Sequence, residues 1–277
     1  MLGVYAEQSY RAPAVAGMFY PNDPKAIRQT LDAWFQTGKS LRARWRAALV
    51  PHAGWIYSGR IAAQVLSGIA IPRTVIILAP KHHPGGSNWA IAPWERWLFP
   101  GGEVAANLEL TRELANKIPG LEIDPRPHLA EHAIEVQLPL LAYQRPDVEI
   151  VAITIGQTDL ASCQRFAKAL APAVAAEIDD VLFIISSDMN HFASDQQNRK
   201  LDRLALEQLE KLSADGLYTV CEQHHITMCG MLPAVIVLKT LQELQLLHRA
   251  ELVAYDTSAT VSGDYAKVVG YAGMRFN

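Results

Sequence analysis

Apolar residues fall along this chain in short unbroken runs, separated by longer stretches with a helical repeat. Three runs stand out, at residues 47–50, 74–79 and 181–185. Valine, isoleucine and leucine dominate them, the composition of strands buried on both faces. Further strands are predicted at 148–155, 251–255 and 267–274. Helices are predicted over 23–35, 59–67, 105–117, 133–143, 159–178, 196–212 and 232–246. Pro24 suits a first helical turn and Thr158 a cap. Strands alternating with helices predict an α/β fold: a single domain over residues 1–277, with a central, mostly parallel sheet flanked by helices. The stretch 80–102, rich in Pro, Gly and Trp, is predicted to be a functional loop. Trp89 and its neighbours are expected to wall a pocket.

Composition narrows the classes. The chain has 277 residues, half of them hydrophobic and 19% charged, with a net charge of −3. That gives no basic patch for nucleic acid. No apolar run approaches the roughly 20 residues of a membrane span, and the signal-peptide pattern is missing from the first residues. Three cysteines, Cys163, Cys221 and Cys229, do not make a disulfide framework. A reducing, cytoplasmic setting is expected.

The chemistry gathers at strand ends. His52, His82 and His191 each stand just past one of the three apolar runs. In open α/β sheets ligands collect at the carboxyl ends of strands, and imidazole is the commonest protein metal ligand. In Pro80-Lys81-His82-His83-Pro84 neighbouring side chains point opposite ways, so one histidine of the pair faces a shared site, and periodicity does not choose which. Asp188 and His191, three apart in Ser186-Ser187-Asp188-Met189-Asn190-His191, are spaced to face one another; a carboxylate on an imidazole fixes its tautomer and raises its basicity. In Glu131-His132-Ala133-Ile134-Glu135, His132 and Glu135 share a helical face. Cys229-Gly230 precedes a helix, a place that lowers a thiol pKa. The segment around Glu131 matches neither zincin arrangement, and no nucleophile elbow, P-loop or dinucleotide fingerprint is present.

Together these segments resemble the Memo family. The likeness runs through Pro13-Ala14-Val15-Ala16-Gly17-Met18-Phe19-Tyr20-Pro21, Pro51-His52-Ala53-Gly54 with Tyr57-Ser58-Gly59, the pair His82-His83, residues 131–139, residues 186–191, Cys229-Gly230 and Gly270-Tyr271-Ala272. That family is similar in structure to the class III extradiol dioxygenases, nonheme-iron enzymes that open catechol rings. The resemblance implies one α/β domain of that type, with its site at one edge of the sheet. It implies metal ligands at His52, His82 and Cys229, and so His82 over His83. It places Asp188 and His191 beside the metal, with His191 moving protons, and Glu131 and His132 close by. Where relatives often carry a Thr-Pro-Leu-Gly-like turn, this chain has Leu98-Phe99-Pro100-Gly101-Gly102, a difference expected at the pocket wall.

A cysteine ligand departs from the two histidines and one carboxylate of the dioxygenases, and its softness favours copper, zinc or iron. Fe(II) or copper is the expected cofactor, with zinc as a further option. Three readings follow. One is an oxidoreductase acting on a small phenolic or related substrate. Another is a non-catalytic metal- or peptide-binding protein in a signalling or modification pathway, with radical-SAM or AMME-type partner proteins. The third is a zinc metallohydrolase.

Overall fold

The structure, a computed structural model, describes residues 9–36 and 42–277. Its strands are β1 (Tyr10–Arg11), β2 (Ala47–Val50), β3 (Thr74–Pro80), β4 (Trp89–Ile91), β5 (Arg96–Phe99), β6 (Gly102–Ala106), β7 (Leu121–Ile123), β8 (Glu149–Ile155), β9 (Val181–Ser186), β10 (His191–Ala193), β11 (Ala250–Thr257) and β12 (Val268–Phe276). The helices are α1 (Pro24–Gln36), α2 (Trp55–Ser67), α3 (Leu108–Lys117), α4 (His132–Glu135), α5 (Leu138–Gln144), α6 (Leu160–Val174), α7 (Asp195–Glu210), α8 (Ala214–His224), α9 (Met231–Glu243) and α10 (Ala259–Ser262).

All the strands join one sheet, ordered β1-β5-β6-β8-β3-β9-β2-β12-β10, with β11 on β12 and β4 and β7 beside β8. The centre is parallel: β8 pairs β3, β3 pairs β9 and β9 pairs β2. Antiparallel pairs, such as β11 with β12 and β5 with β6, flank it.

Alternation along the central strands explains the layering. Leu49, Ile76, Leu78, Phe183 and Ile185 enter one core, built with α3, α6, α7, α8 and α9. Ala48, Val50, Val75, Ile77, Leu182 and Ile184 enter the other, built with α1, α2 and α5. Both faces of each strand are covered, so both parities are apolar. The expected α/β domain with a largely parallel centre is what forms. No helix among the described residues is long and apolar enough to cross a membrane.

The structure departs from the sequence reading in four places. The helix expected over 133–143 is two, α4 and α5, with Pro139 in the first turn of the second. Proline lacks the N–H that would bond the carbonyl of Glu135 and continue the ladder; one residue on, the carbonyl of Val136 accepts the Trp55 indole N–H at 3.0 Å. The stretch 80–102 holds two strands, β4 and β5. Residues 102–106 form β6, which delays α3 to Leu108, capped by Asn107. Likewise Asp159, and not Thr158, caps α6.

Candidate metal centre

The sheet order brings three carboxyl ends side by side, because β9 lies between β3 and β2. His52 follows β2 by two residues, His82 follows β3 by two, and Asp188 follows β9 by two. His132 opens α4 beneath them. One ligand-capable atom from each of His52, His82 and His132 lies within 4.8 Å of the other two. The rings of His82 and His132 stack at 4.6 Å, and His52 stands edge-on to both at 5.2 Å.

Hydrogen bonding decides which nitrogen of each ring is free. The Ser186 hydroxyl lies 2.6 Å from the carbonyl of Ala133 and 2.9 Å from His52 Nδ1. A carbonyl only accepts, so the single hydroxyl proton goes there and His52 Nδ1 must donate. Its Nε2 lone pair is therefore left for the centre of the cluster. Glu131 does the same for His82: Oε1 accepts from His82 Nδ1 at 2.8 Å, and Oε2 accepts the His82 backbone N–H at 2.8 Å. Oε1 also accepts from the backbone of Ala133 at 3.0 Å, capping α4, and lies 3.4 Å from His132 Nδ1.

Electrostatics keep His52 and His132 neutral. Burial, with the neighbouring His82 charge, lowers the His52 pKa to about 3. Burial and the His52 charge lower that of His132 to about 3. Burial alone would raise the pKa of Glu131, but hydrogen bonds from the His82 ring and from backbone amides outweigh it and hold the carboxyl at about 2. The result is a buried anion orienting the His82 imidazole, the arrangement that raises the basicity of a metal-binding ring.

Cys229 reaches the same place from the α8–α9 connection. Its Sγ lies 3.2 Å from His52 Nε2 and 3.3 Å from the backbone nitrogen of Asp188, which donates to it. Gly230 makes that approach possible: a Cβ there would sit 2.3 Å from Ser187 Cβ. The expected lowering of the thiol pKa does not occur. Burial, reinforced by the Asp188 charge, pushes it upward, so the thiol stays protonated and donates to His52 Nε2.

Asp188 and His191 adjoin the cluster without bonding each other as the spacing suggested. Asp188 Oδ1 accepts backbone N–H groups of His52 at 2.8 Å and Ala53 at 3.3 Å, and burial raises its pKa. His191 Nδ1 donates to the carbonyl of Thr227 at 2.9 Å. The tautomer of His191 is thus set by a backbone oxygen on the loop that carries Cys229, not by the carboxylate. His191 stays close enough for its charge to act on both His52 and Asp188.

Behind this lies a polar layer that no motif disclosed. Buried Asp202 accepts from the backbone of Asn190 at 2.7 Å, from Asn198 Nδ2 at 2.9 Å and from the Tyr255 hydroxyl at 2.7 Å. Asn190 Oδ1 in turn accepts from Thr227 N at 3.0 Å. The layer ties the His191 segment to the Cys229 loop. His132 and Glu135, expected on one face, part company: Glu135 turns away to bind Arg11 at 2.6 Å.

The tryptophans do not wall the site. Trp89 packs on Phe166 in the opposite core, while Trp94 and Trp97 surround His128 and Arg11. Phe99 to Gly102 line a separate groove with Pro24 and Tyr143. A hollow of about 410 Å³ does open beside the histidines, and its wall comes from the N-terminal segment, including Val15, Met18 and Phe19. Cys163 and Cys221 are buried in the core, where burial raises each thiol to about 12.

Comparison with known proteins agrees with this layout. Residues 11–275 match the family model described as "Memo-like protein". A MEMO1 family protein of Aquifex aeolicus is 36% identical over 267 residues, covering 96% of this chain and 98% of that protein. One from Desulfurococcus amylolyticus is 34% identical over 280 residues, covering 96% and 98%. The crystal structure of uncharacterized protein JW3007 from Escherichia coli K12 superposes with a TM-score of 0.56 over 83% of this chain and 99% of that one. At 12% identity that likeness concerns the fold alone.

Proposed function

This chain belongs to the Memo-like family, and from that premise we propose that it is a mononuclear-metal oxidoreductase acting on a small molecule. The observation that carries the reading is the convergence of the His52, His82 and His132 ligand atoms within 4.8 Å. The residues fit a transition metal. Two rings present Nε2 lone pairs because Ser186 and Glu131 occupy Nδ1, and the pKa values of His52 and His132 leave them neutral at pH 7. His52 and His82 would hold the metal, with His132 and Cys229 as the further donors, and the soft sulfur favours iron or copper over hard cations.

When bound, such a metal supplies Lewis acidity and one-electron redox capacity. The chain does the rest. Glu131 and Ser186 keep the rings oriented. Asp188 fixes the backbone of His52. His191, with Nδ1 donating to Thr227, has its Nε2 free to take up a proton beside the cluster. The hollow next to His82 and His132 receives the substrate.

A zinc-dependent hydrolase is the second reading, favoured by the three converging imidazoles, an established zinc set. Anaerobic reconstitution separates the two. The expected result is about one Fe(II) or copper per chain, lost in His52→Ala and His82→Ala, with oxygen uptake once a catechol and dissolved oxygen are added to the loaded protein. Stoichiometric zinc with ester or amide hydrolysis and no oxygen uptake would favour the second. Failure to retain any of these metals would remove both.

A further inference from the structure

The wall of the hollow beside the histidines is a built element. Residues 15–20 fold into a tight turn: Phe19 N–H donates to the carbonyl of Val15 at 2.9 Å, and Gly17 N–H to that of Tyr20 at 2.7 Å. Gly17 sits at φ +84°, which a side chain would oppose. The turn is fastened from two directions. Glu135 accepts from the backbone of Ala14 at 2.8 Å and of Val15 at 3.1 Å, and from the Tyr20 hydroxyl at 2.9 Å. The carbonyl of Phe19 accepts the N–H of Trp55, the first residue of α2, at 2.7 Å.

This fastening sets two large apolar side chains over the cluster. The Phe19 ring lies tilted against His132 with centroids 4.4 Å apart, and Met18 at the tip of the turn is 73% exposed. An exposed methionine beside a pocket is adaptable apolar surface without a packing role. Ala14, Val15 and Ala130 complete the apolar lining; its polar members are His82, His83 and His132. Among the described residues no Lys, Arg, Asp or Glu lines the hollow. A carboxylate, phosphate or ammonium on the body of a ligand would lose water there and gain no ionic partner.

Resting on the metal reading above, we propose that the hollow selects an uncharged, apolar-bodied molecule, aryl or alkyl, that reaches the histidine cluster through a single oxygen or nitrogen donor, with Phe19 and Met18 as specificity-determining residues. The volume of about 410 Å³ takes a body of one or two rings and no larger polar appendage. Phe19 provides the face on which that body lies. Met18 closes over its outer edge.

The test uses the full chain loaded with cobalt(II), whose visible absorption reports donors joining the metal. The probes are imidazole, 4-phenylimidazole and 4-(4-carboxyphenyl)imidazole, whose carboxylate lies on the body, too far from the ring nitrogen to chelate. We expect 4-phenylimidazole to bind roughly tenfold tighter than imidazole, as partial burial of a phenyl group allows, and the carboxylate no tighter than imidazole. Phe19→Ala collapses the phenyl-to-imidazole ratio towards one. Met18→Glu, at an exposed position, lowers that ratio several-fold. Equal binding of all three probes, or a ratio untouched by both substitutions, overturns the proposal. If cobalt gives no absorption that depends on His52, the metal reading falls. Saturation-transfer NMR of the phenyl protons on the metal-free protein then decides the pocket, which stands if transfer is lost in Phe19→Ala and falls if it is not.

Discussion

Two fully buried glutamates sit four residues apart around α4, and they do different work. Glu131 caps the helix and faces the histidines; Glu135 ends it and faces the N-terminal turn. Glu131 touches His82 and a neighbouring ring, so its charge tunes the basicity of a donor. Glu135 touches Arg11, two backbone amides and a tyrosine, so its charge holds a wall in place. One short helix therefore divides orientation of a ring from placement of a pocket. The contrast teaches that burial of a carboxylate does not by itself mark a reacting group; its partners do.

The strongest way to break the comparison is Glu135→Ala. It strands the Arg11 guanidinium, which is only 2% exposed, and unpairs three donors. Loss of one partner of a buried pair costs roughly 3–5 kcal/mol, so the urea midpoint should fall steeply. Glu131→Ala should cost less stability and more metal affinity. If the two variants lose stability and metal binding in the same proportion, the division of labour is wrong.

Acid titration comes next. His128 belongs to the Glu135 half, its carbonyl accepting from Arg11 at 2.8 Å, while His132 belongs to the Glu131 half. Burial first, then the Arg11 charge, lowers the His128 pKa to about 3, as burial and His52 do for His132. An unfolded histidine titrates near 6.5, so below that pH the unfolded chain binds more protons than the folded one. The stabilisation is complete above pH 6.5 and is lost as pH falls through the window down to about 3. By pH 5 each ring costs on the order of 2 kcal/mol. In metal-free protein, His128→Gln should flatten the stability curve between pH 6.5 and 5 by about that amount. An unchanged slope would show His128 to be protonated or solvated in the fold.

How much of this was legible in the chain follows from what each signal depends on. The central strands β2, β3 and β9 were plain because burial on both faces leaves unbroken apolar runs, and His52 and His82 announced themselves by standing just beyond two of them. Helix α8 was missed because it buries only Ala214, Leu217 and Cys221, too few for a period, and carries Gly216 and Thr219 besides. The bonding of Asp188 could not be read from its spacing to His191, because backbone amides of a distant strand end claimed it. Phe19 stood within a recognised motif, yet its place over His132 depends on Glu135, more than a hundred residues away in sequence.

Glu131→Gln tests the tuning half more gently. The amide keeps the size but sets an NH2 group against one of the N–H donors of His82. Loss of such an outer partner typically lowers metal affinity 10–100-fold, to be read by competition titration with a chelator. Unchanged affinity would leave Glu131 as a helix cap and nothing more.

The smallest expected effect is the most specific. Ser186→Ala removes the acceptor that obliges His52 to carry its proton on Nδ1, and it removes the donor to Ala133 in α4. His52 can then place its proton on either nitrogen, and the Nε2–H form must tautomerise before Nε2 can bind a metal. Affinity should fall only a few-fold, about 1 kcal/mol, the scale of one hydrogen bond. Nitrogen-15 shifts of the imidazole should show the change directly, from one tautomer in the parent protein to a mixture in the variant. Because the Ser186 proton has only one carbonyl to satisfy, a parent spectrum with His52 protonated at Nε2 would mean that this hydroxyl donates to the ring instead. Glu131 would then be the sole device preparing a ring for metal, and the pairing of Ser186 with His52 would be packing.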